Sequence, residues 1–197
     1  MINPNFVILG AVITLAGGLV YLIDTIKEKV KPNRVSWFLW FLAPLIAFIA
    51  EIKQGVGILS LMTFVAAFEP LVVFIATFVN KKSAWKISRF DIVCGAFSVI
   101  GLILWYITKI PNTAIVLSII ADFLASVPTV TKSYSYPETE NIWPYISTLI
   151  GAGITMLTID AWSFANYSFP AYLFLINTIL CVLIQFKVGK IVASRRK

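Results

Sequence analysis

The chain has 197 residues, 59% hydrophobic and only 13% charged, with a mean hydropathy of +0.91 and a net charge of +7. Soluble domains carry about a quarter charged residues, so this composition excludes a soluble globular domain and points to an integral, all-α membrane protein. The excess of 16 Lys+Arg over 9 Asp+Glu does not imply a nucleic-acid partner, because the basic residues fall in loops between apolar runs, where they set orientation in a lipid bilayer.

Seven apolar runs are predicted as helices, at about 5–24, 35–51, 57–79, 90–108, 113–131, 143–160 and 168–187. Each approaches the roughly 20 residues that cross a hydrocarbon core. The first begins MINPNFVILG, with no basic stretch ahead of it, and is expected to be a membrane helix and not a cleaved leader. Its Gly17 and Gly18, with Gly151 and Gly153 of the sixth run, are expected to let helices approach closely. The second run carries Trp37 and, one turn deeper on nearly the same face, Trp40, followed by an internal Pro44 expected to kink it.

The third run holds Glu69 in the middle of AAFEPLVVF, directly before Pro70, which removes a backbone donor one turn from the acid. In the fourth, SRFD offers Ser88 or Asp91 as a cap. The fifth contains SIIADFLASVPTVTKS, with Asp122 about ten residues in and Pro128 shortly after. An ionised carboxylate at the bilayer centre costs at least about 2.5–3.5 kcal/mol, so Asp122 and Glu69 are expected to face a bundle interior and to mark a pathway or a proton site. Glu138, Thr139 and Glu140 read as a solvated acidic patch without chemistry, and Trp37, Trp85, Trp105, Trp143 and Trp162 as interfacial anchors. Cys94 and Cys181 lie inside apolar runs as small packing residues.

Counting Lys and Arg by side gives 14 in the loops after runs one, three and five and in the C-terminal tail, against 2 (Lys53 and Lys109) on the opposite side. That asymmetry puts the N-terminus outside and the C-terminus in the cytoplasm, and an odd number of spans agrees with it. The expected location is a multi-pass protein of a bacterial plasma membrane.

There is no histidine, which removes imidazole acid–base chemistry and most zinc sites. No glycine-rich phosphate loop, nucleophile elbow or Cys-x-x-Cys motif is present, so neither an enzyme nor a bound metal or cofactor is expected.

The loops after the first and fifth runs, YLIDTIKEKVKPNRVSWFLW and PTVTKSYSYPETENIWPYIS, are alike: each combines lysine, proline and asparagine before an aromatic helix start. Matching Trp37 to Trp143 gives an offset of 106, and Glu69 to Asn177 an offset of 108. The layout is then two parallel three-helix repeats: residues 1–82 form a first bundle, 83–111 a linker helix, and 112–197 a second bundle with a basic cytoplasmic tail.

This three-plus-one-plus-three layout resembles the SWEET and SemiSWEET sugar transporters and the wider PQ-loop family, over nearly the whole chain in layout and most closely in VPTVTKSYSYPETENIWPYI and FPAYLFLINTILCVLIQFKVGK. The resemblance implies a transporter that moves a small polar solute, a sugar or similar, by alternating access. It places Asn177 as a binding asparagine, Glu69 in the corresponding first-half position, Trp162 as a ring-stacking residue 15 positions before Asn177, and Pro128 and Pro144 as pivots. The chain departs from the family pattern at Thr129, where a glutamine follows the proline, and at Tyr21 and Trp37, where the first half has no proline. Asp122 and Trp40 complete the expected site, and two embedded acids without an embedded base point to proton coupling. The alternative is a PQ-loop-type receptor or sorting protein without transport; a homo-oligomer is compatible with either.

Overall fold

A computed structural model describes residues 2–79, 84–108 and 110–194. Lys81, Lys82, Lys109, the last three residues and the side chain of Trp105 lie outside the described set. Among the described residues the secondary structure is helical: α1 (Phe6–Ile26), α2 (Arg34–Lys53), α3 (Ser60–Val79), α4 (Arg89–Thr108), α5 (Pro111–Ser135), α6 (Trp143–Leu157), α7 (Phe164–Phe186) and a short α8 (Val188–Ser194), with 3-10 turns at Gly57–Leu59 and Pro137–Thr139. Five of these, α1, α2, α3 with its preceding turn, α5 and α7, are long and apolar enough to cross a membrane. The sixth helix is apolar but only 15 residues long, shorter than the expected 143–160. At 1.5 Å per residue that is roughly 22 Å, short of a full hydrocarbon core.

Local chemistry explains the helix ends. Asn33 caps α2, its Oδ1 accepting from the backbone N–H groups of Val35 (3.0 Å) and Ser36 (3.4 Å). At α4 both Ser88 and Asp91 act, as a reciprocal pair: Ser88 N–H donates to Asp91 Oδ2 (2.6 Å) and Asp91 N–H to Ser88 Oγ (3.2 Å). The fifth helix runs a turn beyond its expected end at 131, because Lys132 and Ser133 are buried against neighbouring chain instead of entering solvent.

The distribution of side chains is that of a protein in lipid. The buried positions are rich in Ala, Ser and Thr, with Ala43, Ala47, Ala121 and Ala152 fully enclosed, while large apolar groups such as Leu175, Phe186 and Val79 point outward. Small residues inside let helices approach, and so wide an apolar exterior has no place in water. The chain is therefore a membrane-embedded helical protein.

The packing order is regular. The third helix packs against both α1 and α2, and α7 against both α5 and α6; across the middle, α1 packs on α6 and α2 on α5. The fourth helix lies against α5 and touches α2, and Ser98 Oγ donates to the Ala121 carbonyl of α5 at 2.8 Å. The α1–α6 seam is glycine-lined: a Cβ at Gly151 would come within 2.8 Å of the Gly10 carbonyl, and one at Gly17 within 2.7 Å of the Trp143 carbonyl. Gly153 is different, since a Cβ there would meet only Phe174 at an ordinary 3.4 Å.

The loops at 27–33 and 136–142, the stretch around Trp85 and the start of α8 gather at one end of the bundle. Lys31 N–H donates to the Thr139 carbonyl (3.0 Å), Trp85 N–H to the Pro32 carbonyl (2.9 Å), and Lys190 pairs with Glu138 (2.7 Å). The far end holds the backbone bond from Ile2 N–H to the Leu157 carbonyl, 3.2 Å long.

Candidate functional site

A cavity of about 60 Å³ lies in the bundle centre, lined from α2 by Trp37, Trp40 and Pro44, from α3 by Glu69, from α5 by Asp122, from α6 by Pro144, Tyr145 and Thr148, and from α7 by Asn177 with neighbouring apolar residues. It has room for on the order of a few water molecules. Glu69, Asp122, Asn177 and Trp40 of the expected site, with the expected pivot Pro144, thus line one space. Glu69 is 7% exposed, Asp122 3% and Asn177 7%.

Each polar group is held differently. Asp122 accepts a hydrogen bond from Tyr172 Oη at 2.5 Å through Oδ2. Asn177 donates through Nδ2 to the Leu173 carbonyl at 2.8 Å, one turn back on the same helix, so its Oδ1 stays available. Glu69 rests against Gly18 of α1, where a Cβ would bring a side chain to within 2.8 Å of Glu69 Oε1. Gly18 is therefore as much a seat for the carboxylate as a helix-packing position.

Trp162 does not join this group. It lies beyond the C-terminus of α6, 57% exposed, with its ring 5.9 Å from Tyr167. Its spacing from Asn177 is measured along a loop and the first turns of α7, which carry it to the far rim of the bundle. Pro128 is buried inside α5 but does not line the cavity, whereas Pro144 sits in the first turn of α6 and does.

One end of the cavity is closed by residues that sequence reasoning read otherwise. Tyr21 stacks on Trp37 with ring centroids 4.7 Å apart, Trp37 meets Trp40 edge-on at 5.4 Å, and Trp40 meets Tyr145 at 6.5 Å. Behind these rings lies Glu140, which is not a solvated residue: its side chain is fully enclosed. Its Oε2 accepts from Tyr21 Oη (2.8 Å) and from Tyr145 Oη (3.0 Å), and Oε1 forms an ion pair with Lys132, whose side chain is 2% exposed. Lys132 Nζ also donates to the Lys31 carbonyl at 2.5 Å and lies 5.1 Å over the Trp85 ring. A charge pair so enclosed is tolerable only because nearly every lone pair and proton has a partner.

A further buried acid also escaped sequence reasoning. Glu51, 1% exposed near the end of α2, accepts from Thr63 Oγ1 at 3.0 Å, away from the cavity. Its only signal was an acid before a lysine in EIKQG, indistinguishable from an ordinary loop start. Among the described residues there is no cluster of His, Cys, Asp and Glu able to hold a metal ion.

The class these features define is a membrane-embedded helical protein with a largely apolar central cavity that a few polar side chains line. Family models, curated proteins and solved structures were compared with the chain, and none matches it.

Proposed function

We propose that this protein is a membrane transporter that moves a small polar solute by alternating access between two three-helix halves. The observation that carries the reading is the convergence of Glu69, Asp122 and Asn177, from three different helices, on one cavity. Polar and ionisable groups are costly at such depth and persist where they serve a pathway.

The packing order supports two halves. Exchanging α1, α2 and α3 for α5, α6 and α7 leaves the pattern of neighbours unchanged, as expected for parallel repeats related by an axis along the membrane normal. In this reading α4 is the linker, and the basic end, with the 27–33 and 136–142 loops, faces the cytoplasm. The aromatic plug and the Glu140 network close that face, so the conformation is closed toward the cytoplasm. Pro128 and Pro144 serve as pivots of the second half, while Tyr21 and Trp37, at the corresponding places of the first, supply the plug.

Glu69 and Asp122 also fit proton coupling: a carboxylate protonated in one facing state and shared with solute in the other links two gradients. The test is uptake into proteoliposomes, with sugars, vitamins and amino acids each assayed with and without a pH gradient. Asn177→Ala and Glu69→Ala are expected to abolish uptake while the protein still elutes as a folded species. Normal transport by both variants overturns the site. Uptake indifferent to pH and to a pH gradient removes the coupling.

A further inference from the structure

The transporter reading leaves the chemical class of solute open, and the hydrogen-bonding character of the cavity narrows it. The inference that follows rests on that reading.

Consider what the wall offers to a ligand. Two carboxylates line it, and no basic side chain does. Glu69, 7% exposed, has no hydrogen-bond partner among the described residues. Asp122 has one oxygen bonded by Tyr172 and the other without a partner. Asn177 gives one N–H to the Leu173 carbonyl, which leaves its oxygen and its second N–H for a ligand. Thr148, 8% exposed and on the same wall, has no hydrogen-bond partner among the described residues and is the one hydroxyl that could donate. Lys132 offers no positive charge here, since it is committed to Glu140 behind the Tyr145 ring.

The wall thus carries two carboxylates and no base, and what donors it has, such as the Thr148 hydroxyl and the second Asn177 N–H, are neutral. A neutral polyol would meet the two carboxylates with uncharged hydroxyls alone and leave their charge uncompensated in the interior. A protonated amine inverts that balance: it has N–H donors, no acceptor and one positive charge. The remaining walls suit it too. Trp40 and Tyr145 stand nearly perpendicular, at 75°, and present aromatic surface to the same space, where a desolvated ammonium is stabilised by ring quadrupoles.

We infer that the solute is a small organic cation, whose ammonium group is received by Glu69, Asp122 and the Asn177 oxygen. In the conformation described, the cavity of about 60 Å³ matches the volume of about two waters, room for an ammonium group and little more. The same carboxylates then carry a proton when the site returns empty, which joins solute class and coupling in one pair of residues.

The test uses the purified full chain in proteoliposomes with radiolabelled methylamine, ethylamine and putrescine as cations and glucose and ribitol as neutral solutes, together with thermal shifts of the detergent-solubilised protein against each. Uptake of at least one cation well above protein-free liposomes, with glucose and ribitol at background, is the expected result. Glu69→Gln, which keeps the shape and removes the charge, is expected to reduce that uptake about 10-fold or more, the loss of one charge-assisted hydrogen bond, and to abolish the thermal shift. A folded E69Q protein that still takes up the cation at the wild-type rate overturns the inference. Uptake of glucose or ribitol with none of the cations overturns it while leaving the transporter reading intact. A cation-induced thermal shift without uptake of any solute supports the ligand class and removes transport. Neither shift nor uptake with any of the five overturns both.

Discussion

Tyr21 Oη donates to Glu140 Oε2 across 2.8 Å, tying the last third of α1 to a loop 119 residues further along the chain. Glu140 accepts from Tyr145 through the same oxygen and meets Lys132 through the other. The consequence is mechanical: α1 and the 136–142 loop cannot separate at this face unless an enclosed carboxylate gives up a donor.

Removing one partner of the Lys132–Glu140 pair leaves the other charge enclosed and uncompensated, a cost of about 3–5 kcal/mol. Glu140→Gln and Lys132→Met are each expected to lower the melting temperature in detergent markedly, and the double variant less than the sum of the two, because neither charge is then stranded. Tyr21→Phe keeps the stack on Trp37 and loses one charge-assisted bond, about 1.5–3 kcal/mol, so it loosens the closure without dismantling the core. It should speed labelling of a cysteine placed at Thr148 by reagents applied from the basic side. Wild-type melting of E140Q would contradict the role given to Glu140.

The α1–α6 seam leaves no room for a side chain at Gly151, where a Cβ would lie 2.8 Å from the Gly10 carbonyl and against Thr14 Oγ1. Gly151→Val is expected to destabilise by about 1–3 kcal/mol through overpacking, read as a lower melting temperature. Gly153→Ala, with only Phe174 at 3.4 Å to meet, is expected to melt like the parent.

Asp91 does two things at once. It caps α4 through Ser88, and its Oδ1 accepts from Asn33 Nδ2 at 2.9 Å, which in turn caps α2. Asp91→Ala is expected to cost about 1–2 kcal/mol for the cap and to leave the Asn33 amide short of an acceptor. Asp91→Asn, which keeps an acceptor oxygen, should recover part of that loss, as measured by melting temperature and by hydrogen exchange at the start of α4.

Outside the bundle, Lys190 of α8 lies 2.7 Å from Glu138 Oε2. The hydrogen bond from Lys190, helped by the backbone N–H of Glu138 itself, holds the Glu138 carboxyl below the usual glutamate range. A group held low contributes its tie at neutral pH and loses it as pH falls through that lowered value. A spin label on Ile191 is therefore expected to gain mobility on acidification and, because the pair is exposed, in salt near 1 M, where screening acts within about 3 Å. Glu138→Gln should show the mobile spectrum at every pH, with an unchanged melting temperature.

Composition and apolar run length placed the helices well, because the membrane enforces a coarse rule of about 20 apolar residues per crossing that leaves few alternatives. Asp122 and Glu69 stood out for the same reason, since an acid in such a run needs an interior to face, whereas Asn177 entered through the resemblance. What one-dimensional reading missed is burial outside those runs. Lys132, Glu138 and Glu140 occupy one polar stretch, yet Glu138 is exposed and the other two are enclosed. The difference comes from Tyr21 and Tyr145, which reach Glu140 from separate helices. Trp162 entered only through the spacing that the resemblance implies, and the structure leaves it outside the cavity lining, in the loop before α7 begins at Phe164.

The fastening of the molecule is lopsided. Among the described residues, hydrogen bonds between opposing loops and an enclosed ion pair hold the basic rim, whereas one backbone bond from Ile2 spans the other. A clasp with a strong side and a weak side has a preferred direction of opening. On the proposed transport cycle, the weakly fastened rim would part first and leave an unloaded molecule open toward the compartment opposite the basic loops.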